Sequence, residues 1–170
     1  MAEFRKALPG DLPGIMAVVQ QAQAFMATLG IDQWQDGYPS AEILSEDIRV
    51  GRAYVFDDAG TVASITVLTA EPEPVYDAID GQWRTGAPYL TIHRMALGDA
   101  YRHSGIASEI LAHAKHIAAE QKLTAVRADT HRGNAAMRRF LEKSGFVLCG
   151  TVEYPVDAGD PVRVAYDLPL

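Results

Sequence analysis

The sequence predicts an α/β or α+β domain in which helices pack against a β-sheet, and three observations support this class. Apolar residues recur at helical spacing in four segments, short β-branched runs separate those segments, and the resulting order reads β α α β β β α β α β β. Strands that alternate with single helices need crossover connections. The length of 170 residues and the 48% hydrophobic content suit one packed domain. We therefore expect a single domain over residues 1–170.

The first half of the chain carries two predicted helices and three predicted strands. Asp11 and Pro13 are typical of a helix start, and apolar residues such as Ile15, Val19 and Met26 follow at helical spacing. The segments "AYVFD" and "TVASITVLT" flank "DAG", which predicts a β-hairpin. The predicted elements are a strand over 3–7, a helix from Asp11 to Gly30, a helix from its cap Ser40 to Gly51, and strands over 53–57 and 61–69.

The second half begins with a stretch rich in turn residues, 70–88, which predicts a loop. Farther along, Ile106, Ile110 and Ala114 fall on one face of a predicted helix, so we expect that helix to pack on the sheet. The predicted elements are the strand "YLTIHRMAL", a helix from about 105 to 121, the strand "LTAVRAD", a helix from about 135 to 144, and strands near 146–153 and 162–168.

The charge of the chain is unevenly distributed. The formal net charge is −7, so the surface as a whole should repel nucleic acid and anionic membranes, and neither is an expected partner. Residues 90–150 are the exception, with nine Lys and Arg against five Asp and Glu. A site for an anionic ligand is therefore expected in this part of the chain.

The single cysteine, Cys149, cannot form an internal disulfide, which fits a reducing cytoplasm. We interpret it as a small core residue rather than a nucleophile. The N-terminus has no apolar signal region, and the sequence has no run of about 18 apolar residues. We therefore expect a cytoplasmic protein without a membrane partner. No His or Cys cluster has the spacing of metal ligands, so no metal is expected.

The stretch "YRHSGIAS", residues 101–108, places two basic side chains and a glycine in front of a helix. A helix N-terminus has unpaired backbone N–H groups and the positive end of the helix dipole, so it attracts anions. Gly105 lets a phosphate approach the main chain, Ala107 adds no obstruction, and Arg102 and His103 add charge. The stretch predicts a phosphate or pyrophosphate site, with an ordinary loop as the alternative. It is neither a Walker A loop nor a dinucleotide-binding glycine turn.

A second motif makes the interpretation of this stretch more specific. "RMALGDAYRHSGIASEIL" is followed roughly 30 residues later by "NAAMRRFLEKSGF". The pair resembles the GNAT family of acetyl-CoA-dependent N-acetyltransferases. The resemblance implies a mixed, mostly antiparallel sheet of six to seven strands flanked by about four helices. It also implies transfer of an acetyl group from acetyl-CoA to a primary amine of a small molecule or peptide, by direct attack in a ternary complex without a metal.

The resemblance also implies which residues bind the co-substrate. Residues on the strand before the loop would bond through their main chain to the pantetheine arm and the acetyl carbonyl, and a fixed N–H there would stabilise the developing oxyanion. Asn134 would touch the pantetheine arm, and as the predicted cap of a helix it has a structural reason to be there as well. Lys143 either contributes to CoA phosphate binding or belongs to a solvated helix face. The implied pyrophosphate and thioester residues are Met95, Leu97, Arg102, His103, Ser104, Gly105, Ile106 and Ala107.

The catalytic groups are the part that the resemblance leaves open. Many relatives have a tyrosine acid in "LYEKxGF", but this chain has Leu141 at that place, so the assignment does not transfer. Amine attack requires a base, because an aliphatic amine with a pKa near ~10 is mostly protonated at pH 7. The candidates are His93 on the central strand, His131 in "DTHRGN" and Tyr154 after "GTVE", each of which also has a purely structural interpretation.

The acceptor pocket is expected between "GIDQWQDGYPS" and "EYPVDAGDP". Trp34 and Tyr38 are predicted to line it, with an aromatic plug over the core and a homodimer contact as alternatives. Glu153 is a third candidate substrate-binding residue. Acidic residues predict a cationic amine acceptor, unless they are ordinary solvated loop charges. These acidic residues are Asp32, Asp36, Glu153, Asp157 and Asp160.

A second function of a different class stays open at this point. The absence of the usual tyrosine at Leu141 is also what a non-catalytic acyl-CoA sensor or regulatory module would have. Thiol release from acetyl-CoA in the presence of amines distinguishes the two classes, because a sensor binds CoA without turnover.

Overall fold

The computed structural model describes residues 2–156 and 158–170, which form four helices and eight strands. The strands are β1 (Ala2–Lys6), β2 (Ala53–Asp58), β3 (Thr61–Thr69), β4 (Asp80–Gly81), β5 (Leu90–Leu97), β6 (Ala125–His131), β7 (Val147–Glu153) and β8 (Val162–Pro169). The helices are α1 (Leu12–Thr28), α2 (Ala41–Arg49), α3 (Ile106–Glu120) and α4 (Ala135–Lys143). Each helix and strand predicted from the sequence is confirmed, with its ends shifted by a residue or two.

The strands form one mixed sheet in the order β1-β2-β3-β5-β6-β8-β7-β4. The pair β5–β6 is parallel, whereas β1–β2, β2–β3, β6–β8, β7–β8 and β4–β7 are antiparallel. The predicted fold class, a mixed and mostly antiparallel sheet with about four helices, is therefore confirmed.

The sheet has one strand more than the sequence predicts. The additional strand, β4, consists of Asp80 and Gly81 and lies in the stretch 70–88 that we predicted as a loop. Two residues are too short to show a two-residue alternation, so no sequence pattern indicates the strand. The pairing of β4 with β7 depends on close backbone approach, because a Cβ at Gly81 would lie 2.1 Å from the Cys149 carbonyl oxygen.

The chain divides into two compact units, and each unit has its own core. The first unit contains residues 2–68 and 93–113. In its main core, α1 contributes Ile15, Val18 and Val19, and α2 contributes Leu44 and Ile48, against the inner residues of β2 and β3. The predicted cap of α2 is present, since the Ser40 hydroxyl oxygen accepts a hydrogen bond from the Ile43 N–H at 3.3 Å.

The second unit contains residues 69–92 and 114–170. Its core includes Tyr76, Tyr89 and residues of β6, β7 and β8. Arg127 is buried there with its guanidinium 4.0 Å from the ring centres of both Trp83 and Tyr89. Asp167, which is fully buried, accepts hydrogen bonds from the main chain and hydroxyl of Thr85. The aromatic rings and hydrogen bonds thus accommodate charged groups inside the core.

The contribution of the first core can be measured at Leu44, which is fully buried. We expect Leu44→Ala to lower the free energy of unfolding by about 3 kcal/mol, because the cavity loses both transfer free energy and packing contacts. Denaturant unfolding measures this loss. Leu29→Ala is the matched control, since Leu29 is 52% exposed, and we expect it to cost under about 0.5 kcal/mol. Equal losses in the two variants would contradict the assigned core.

Candidate active site

The loop between β5 and α3 has an open, tightly turned backbone. A 3₁₀ turn covers Asp99–Tyr101, and the Ser104 N–H then donates to the Tyr101 carbonyl at 3.2 Å. His103 and Gly105 adopt the left-handed conformation, with φ of 62° and 91°. A Cβ placed on Gly105 would have no heavy atom within 4 Å, so the space above this glycine is open. The backbone is therefore accessible to a ligand at this point.

Several N–H groups of this loop have no acceptor within residues 2–156 and 158–170. The N–H groups of Ser108 and Glu109 donate to the Gly105 carbonyl, and that of Ile106 reaches the Ser104 hydroxyl at 3.4 Å. The hydrogen bonds among the described residues leave the N–H groups of His103, Gly105 and Ala107 unused. All three lie at the N-terminus of the 15-residue helix α3. The geometry suits an anion with several acceptor oxygens.

The charged side chains of the loop have protein partners of their own. Arg102 bonds to the Asp99 carboxylate, and its guanidinium lies 3.6 Å from the centre of the Phe25 ring. The Ser104 hydroxyl donates to the Tyr101 carbonyl at 2.5 Å, and the His103 side chain is exposed. The main chain therefore offers more free donors to an anion than Arg102 or Ser104 does.

Strand β5, which precedes the loop, has an irregular backbone at Arg94, where φ is 50°. A left-handed residue interrupts the alternation of side chains along a strand. Met95 and Leu97 are partly buried against the cluster of Phe56 and Ile106. Burial and, to a smaller extent, the positive charges of Arg94 and Arg52 lower the pKa of His93 to about 4, against the opposing effect of Asp47. His93 is therefore neutral at pH 7.

A charged network that sequence reasoning missed connects β5 with α2 and the acceptor segment. The Asp47 carboxylate is fully buried and accepts bonds from Arg94 Nε at 2.8 Å and Nη2 at 2.9 Å. Arg52 Nε binds the same carboxylate at 2.6 Å, and Arg94 Nη1 donates to the Tyr38 hydroxyl at 2.7 Å. The sequence contains one indication of this network. Asp47 lies on the apolar face of α2 with Leu44 and Ile48, and a buried carboxylate is rarely found without a charged partner.

The two aromatic residues predicted to line the acceptor pocket differ in their surroundings. Trp34 packs partly buried against the core of the first unit, as the alternative of an aromatic plug predicts. Tyr38 is 37% exposed, and its carbonyl accepts a bond from Gln23 at 3.1 Å. Gln35 donates to the Gln23 carbonyl at 2.9 Å. These bonds fasten the segment to α1, so Tyr38 has a defined position.

In the second unit, the candidate Tyr154 belongs to a hydrogen-bonded trio. Its hydroxyl donates to Asp129 Oδ2 at 2.8 Å, and the buried Tyr76 hydroxyl donates to the same oxygen at 2.7 Å. Burial raises the pKa of Asp129, although the two tyrosine hydrogen bonds act in the opposite direction. Burial also raises the pKa of Tyr76. Sequence reasoning missed Asp129, because a carboxylate at the end of a predicted strand has no distinctive pattern.

His131, the other candidate in this unit, is buried and has neighbours at both ring nitrogens. Its Nδ1 accepts a hydrogen bond from the Gly133 N–H at 2.9 Å, and its Nε2 lies 3.8 Å from Asp160 Oδ2. The same Asp160 oxygen accepts a bond from Arg132 at 2.6 Å. Asp160 is therefore part of an ion-paired group. Glu153 is exposed at the end of β7, and Asp157 lies outside the described residues.

The three residues of interest in and before helix α4 have different surroundings. The Asn134 side-chain oxygen accepts a bond from the Met137 N–H at 3.2 Å, so Asn134 is the cap that the sequence predicts. Lys143 is exposed in the last turn. Leu141 is 3% exposed, so it is a core residue.

The two units divide the predicted site residues between them. The first unit holds the open loop, residues 93–97 of β5 and the segment of Trp34 and Tyr38. The second unit holds Asn134, Lys143, His131, Tyr154 and Glu153. Within residues 2–156 and 158–170, no group of three His, Cys, Asp or Glu side chains is arranged to hold a metal ion. No helix in those ranges is long and apolar enough to cross a membrane.

Several solved structures that are similar to this chain are acetyltransferases. A GNAT-family acetyltransferase from Streptococcus agalactiae is 35% identical with a TM-score of 0.86, over 99% of this chain and 95% of that one. The PaiA N-acetyltransferase of Thermoplasma acidophilum, in complex with coenzyme A, is 18% identical with a TM-score of 0.73, over 100% and 99%. The ribosomal-protein-S18-alanine N-acetyltransferase of Escherichia coli is 16% identical with a TM-score of 0.69, over 99% and 94%. The last two share the fold alone.

The sequence comparison gives the family itself. The model of the acetyltransferase (GNAT) family matches residues 18–146, which is most of the chain. No curated protein matches the chain. The chain belongs to the GNAT family of acetyltransferases, as the two sequence motifs predicted.

The lowered pKa of His93 predicts a loss of stability in mild acid. The imidazole accepts a proton near pH 6.5 when unfolded but only at about pH 4 when folded, so the unfolded state binds more protons between these values. The free energy of unfolding should therefore fall as the pH falls, by about 2 kcal/mol between pH ~7 and ~4.5 from this group. His93→Gln should lose less stability over that range, as measured by denaturant unfolding. His116→Gln, at an exposed position of α3, is the control. Identical pH dependence of wild type and His93→Gln would contradict the assignment.

Proposed function

We propose that the protein transfers the acetyl group of acetyl-CoA to a primary amine by direct attack in a ternary complex. The observation that carries the proposal is the open loop at the start of α3, where the N–H groups of His103, Gly105 and Ala107 have no acceptor among the described residues. Membership of the GNAT family supports the same reaction, because acetyl transfer from acetyl-CoA is the family's general chemistry.

The residues of the loop fit the pyrophosphate of CoA. The three free N–H groups supply donors, and the vacant space above Gly105 admits a phosphate close to the main chain. Ser104 and Ile106 shape the turn, while Arg102 and His103 add positive charge around it. Acetyl-CoA, when bound, would supply the thioester from which the acetyl group is transferred. The main chain of Met95 and Leu97 would hold its pantetheine arm and acetyl carbonyl.

Two residues of α4, in the second unit, stay predictions from the sequence for binding of the co-substrate. Asn134 uses its side-chain oxygen to cap the helix, which leaves its NH₂ group to donate to the pantetheine arm. Lys143, exposed in the last turn, would contribute positive charge to a CoA phosphate. A cap and a ligand contact are compatible roles for one asparagine, because they use different atoms.

Tyr154 and Asp129 are the best-supported groups for removing the proton of the amine. The Tyr154 hydroxyl directs its hydrogen to Asp129 Oδ2, so the hydroxyl oxygen can accept a proton from the ammonium form of the acceptor. As that proton arrives, the tyrosine proton passes to Asp129, whose pKa is raised by burial. The free amine then attacks the thioester carbon.

The acetyl transfer itself does not require a protein acid to protonate the leaving thiolate. The C–N bond forms and the C–S bond breaks, and the second amine proton ends on the CoA sulfur. The first proton leaves Asp129 for solvent. A thiolate is a weak base, with a thiol pKa near ~8.5, so it departs without help from a protein acid. Leu141, a buried residue at the position where many relatives have a tyrosine acid, is compatible with this scheme.

The two histidine candidates are less well suited to act as the base. With its pKa lowered to about 4, His93 is neutral at pH 7 and is a weaker base than an ordinary imidazole. The lone pair of His131 Nδ1 is engaged by the Gly133 N–H, and its Nε2 faces Asp160. Both residues therefore fit structural roles better than proton transfer.

The nature of the acceptor and the assembly stay predictions from the sequence. Asp32, Asp36 and Glu153 are predicted to supply negative charge for a cationic amine, and Asp160 is paired with Arg132. A cytoplasmic location and a homodimer are also predictions, as is the single domain.

Gly105 provides the first test of the co-substrate site. We expect Gly105→Asp to lower the affinity for CoA by ~100-fold or more, because a carboxylate would face the pyrophosphate at close range. Isothermal calorimetry measures this affinity. Gly60→Asp is the matched control, since Gly60 has φ of 90° and equally open surroundings in the β2–β3 turn. We expect it to change CoA affinity by less than ~3-fold, so an equal effect of both substitutions would refute the proposed cradle.

Thiol release from acetyl-CoA with a panel of amino acids, peptides, polyamines and aminoglycosides tests the reaction itself. We expect amine-dependent release with at least one class. Tight CoA binding without release across the panel would contradict the proposal and favour a non-catalytic acyl-CoA sensor.

The proton path predicts a specific pH dependence. Asp129 must be deprotonated to work, so kcat should fall as the pH drops through its raised pKa. Tyr154→Phe and Asp129→Asn should each lower kcat by ~10²-fold or more and abolish this acidic limb. Steady-state kinetics against pH measures both effects. Tyr54→Phe, at a partly buried tyrosine stacked on Phe4, is the control. Wild-type kcat and pH profile in Tyr154→Phe would exclude the path.

A further inference from the structure

The guanidinium of Arg94 has hydrogen-bonding capacity that the protein does not use. Of its five N–H donors, Nε and one on Nη2 bond to Asp47, and one on Nη1 bonds to the Tyr38 hydroxyl. Among the described residues no acceptor takes the remaining two, one on each terminal nitrogen. The side chain is 14% exposed, whereas its partner Asp47 is not exposed at all. The Arg94 side chain is therefore partly accessible to a molecule outside the protein.

Two guanidinium groups, those of Arg94 and Arg52, share the buried Asp47 carboxylate. The positive charges of both arginines help to lower the pKa of the adjacent His93, while Asp47 acts in the opposite direction. A further cation is therefore disfavoured beside Arg94.

The guanidinium is also held in one orientation. Asp47 binds it through two parallel hydrogen bonds, and Tyr38 fixes a third nitrogen. An arginine ordered in this way loses little side-chain entropy when it binds a ligand. Its planar array of N–H groups suits carboxylate oxygens better than a neutral amide. The arrangement is a preformed anion-binding group.

The position of Arg94 connects it with the acceptor. It directly precedes Met95, which we propose to contact the thioester, and it bonds to Tyr38 of the predicted acceptor segment. All of these residues belong to the first unit. We infer that Arg94, positioned by Asp47 and Tyr38, binds a carboxylate of the acceptor, so that the substrate is an amine that carries a carboxylate, such as an amino acid. This inference rests on the proposed acetyl transfer and differs from the cationic acceptor that the acidic loops predict.

Matched acceptors test the inference through kcat/KM. We compare free amino acids with the corresponding amino acid amides, which have the same amine and lack the carboxylate. The wild type should prefer the acids by ~10- to ~100-fold, which is the range of a charged hydrogen-bonded pair. Arg94→Lys retains the positive charge beside Asp47 but loses the planar array, and it should reduce the preference by ~10-fold. Arg49→Lys, on the exposed side of α2, is the control and should leave the preference unchanged.

Binding to the CoA-loaded wild-type protein gives a readout that depends neither on turnover nor on a variant. Calorimetry with N-acetyl amino acids and with their amides should detect tighter binding of the acids. If amines release thiol but acids and amides are equal in both measurements, the inference is wrong while the proposed function stands. A preference for polyamines, or an acid preference that Arg94→Lys leaves intact, would also overturn it. If no amine releases thiol and the acids still bind more tightly, acetyl transfer fails and carboxylate binding by the chain is retained.

Discussion

The turn in front of α3 is the constraint on which the account of this protein depends. An α-helix begins with N–H groups that have no partner in the preceding turn. At the start of α3 the turn has two left-handed residues, and three N–H groups there have no acceptor in the part of the chain that the structure describes. Gly105 meets this requirement without steric cost, whereas His103 adopts it as a non-glycine residue. Binding of a pyrophosphate would satisfy donors that the fold leaves unsatisfied, which explains why the co-substrate is the best-supported part of the proposed function.

The proposed chemistry of the acceptor amine depends on groups of another kind. Two buried carboxylates accept hydrogen bonds from other side chains, Asp47 from Arg94 and Asp129 from two tyrosines. Such pairs are costly to bury, so they commonly mark a functional requirement as well as a structural one. Asp47 orients the Arg94 guanidinium, which we propose binds the carboxylate of the acceptor. Asp129 is the group that we propose accepts the proton of the acceptor amine.

The sequence predicted features that depend on residues close together in the chain, and it did not predict contacts between residues far apart in the chain. The Ser40 cap, the apolar face of α3 and the motif around Gly105 are written in consecutive residues, and the structure has them where the patterns predict. By contrast, Asp47 and Arg94 are 47 positions apart, and Asp129 and Tyr154 are 25 apart, so no spacing rule connects them. Strand β4 escaped prediction because its pairing depends on the absence of side chains at two glycines.

The central claim, that main-chain N–H groups of this turn bind the pyrophosphate of CoA, is tested most directly by NMR. Acetyl-CoA is titrated into ¹⁵N-labelled protein while the backbone amides are observed. We predict that the amide resonances of His103, Gly105 and Ala107 move together as the ligand binds, because their hydrogens acquire charged acceptors. The amide of Gly60, in a turn of the same conformation, should stay in place. Saturable binding that leaves His103, Gly105 and Ala107 unchanged would contradict the account.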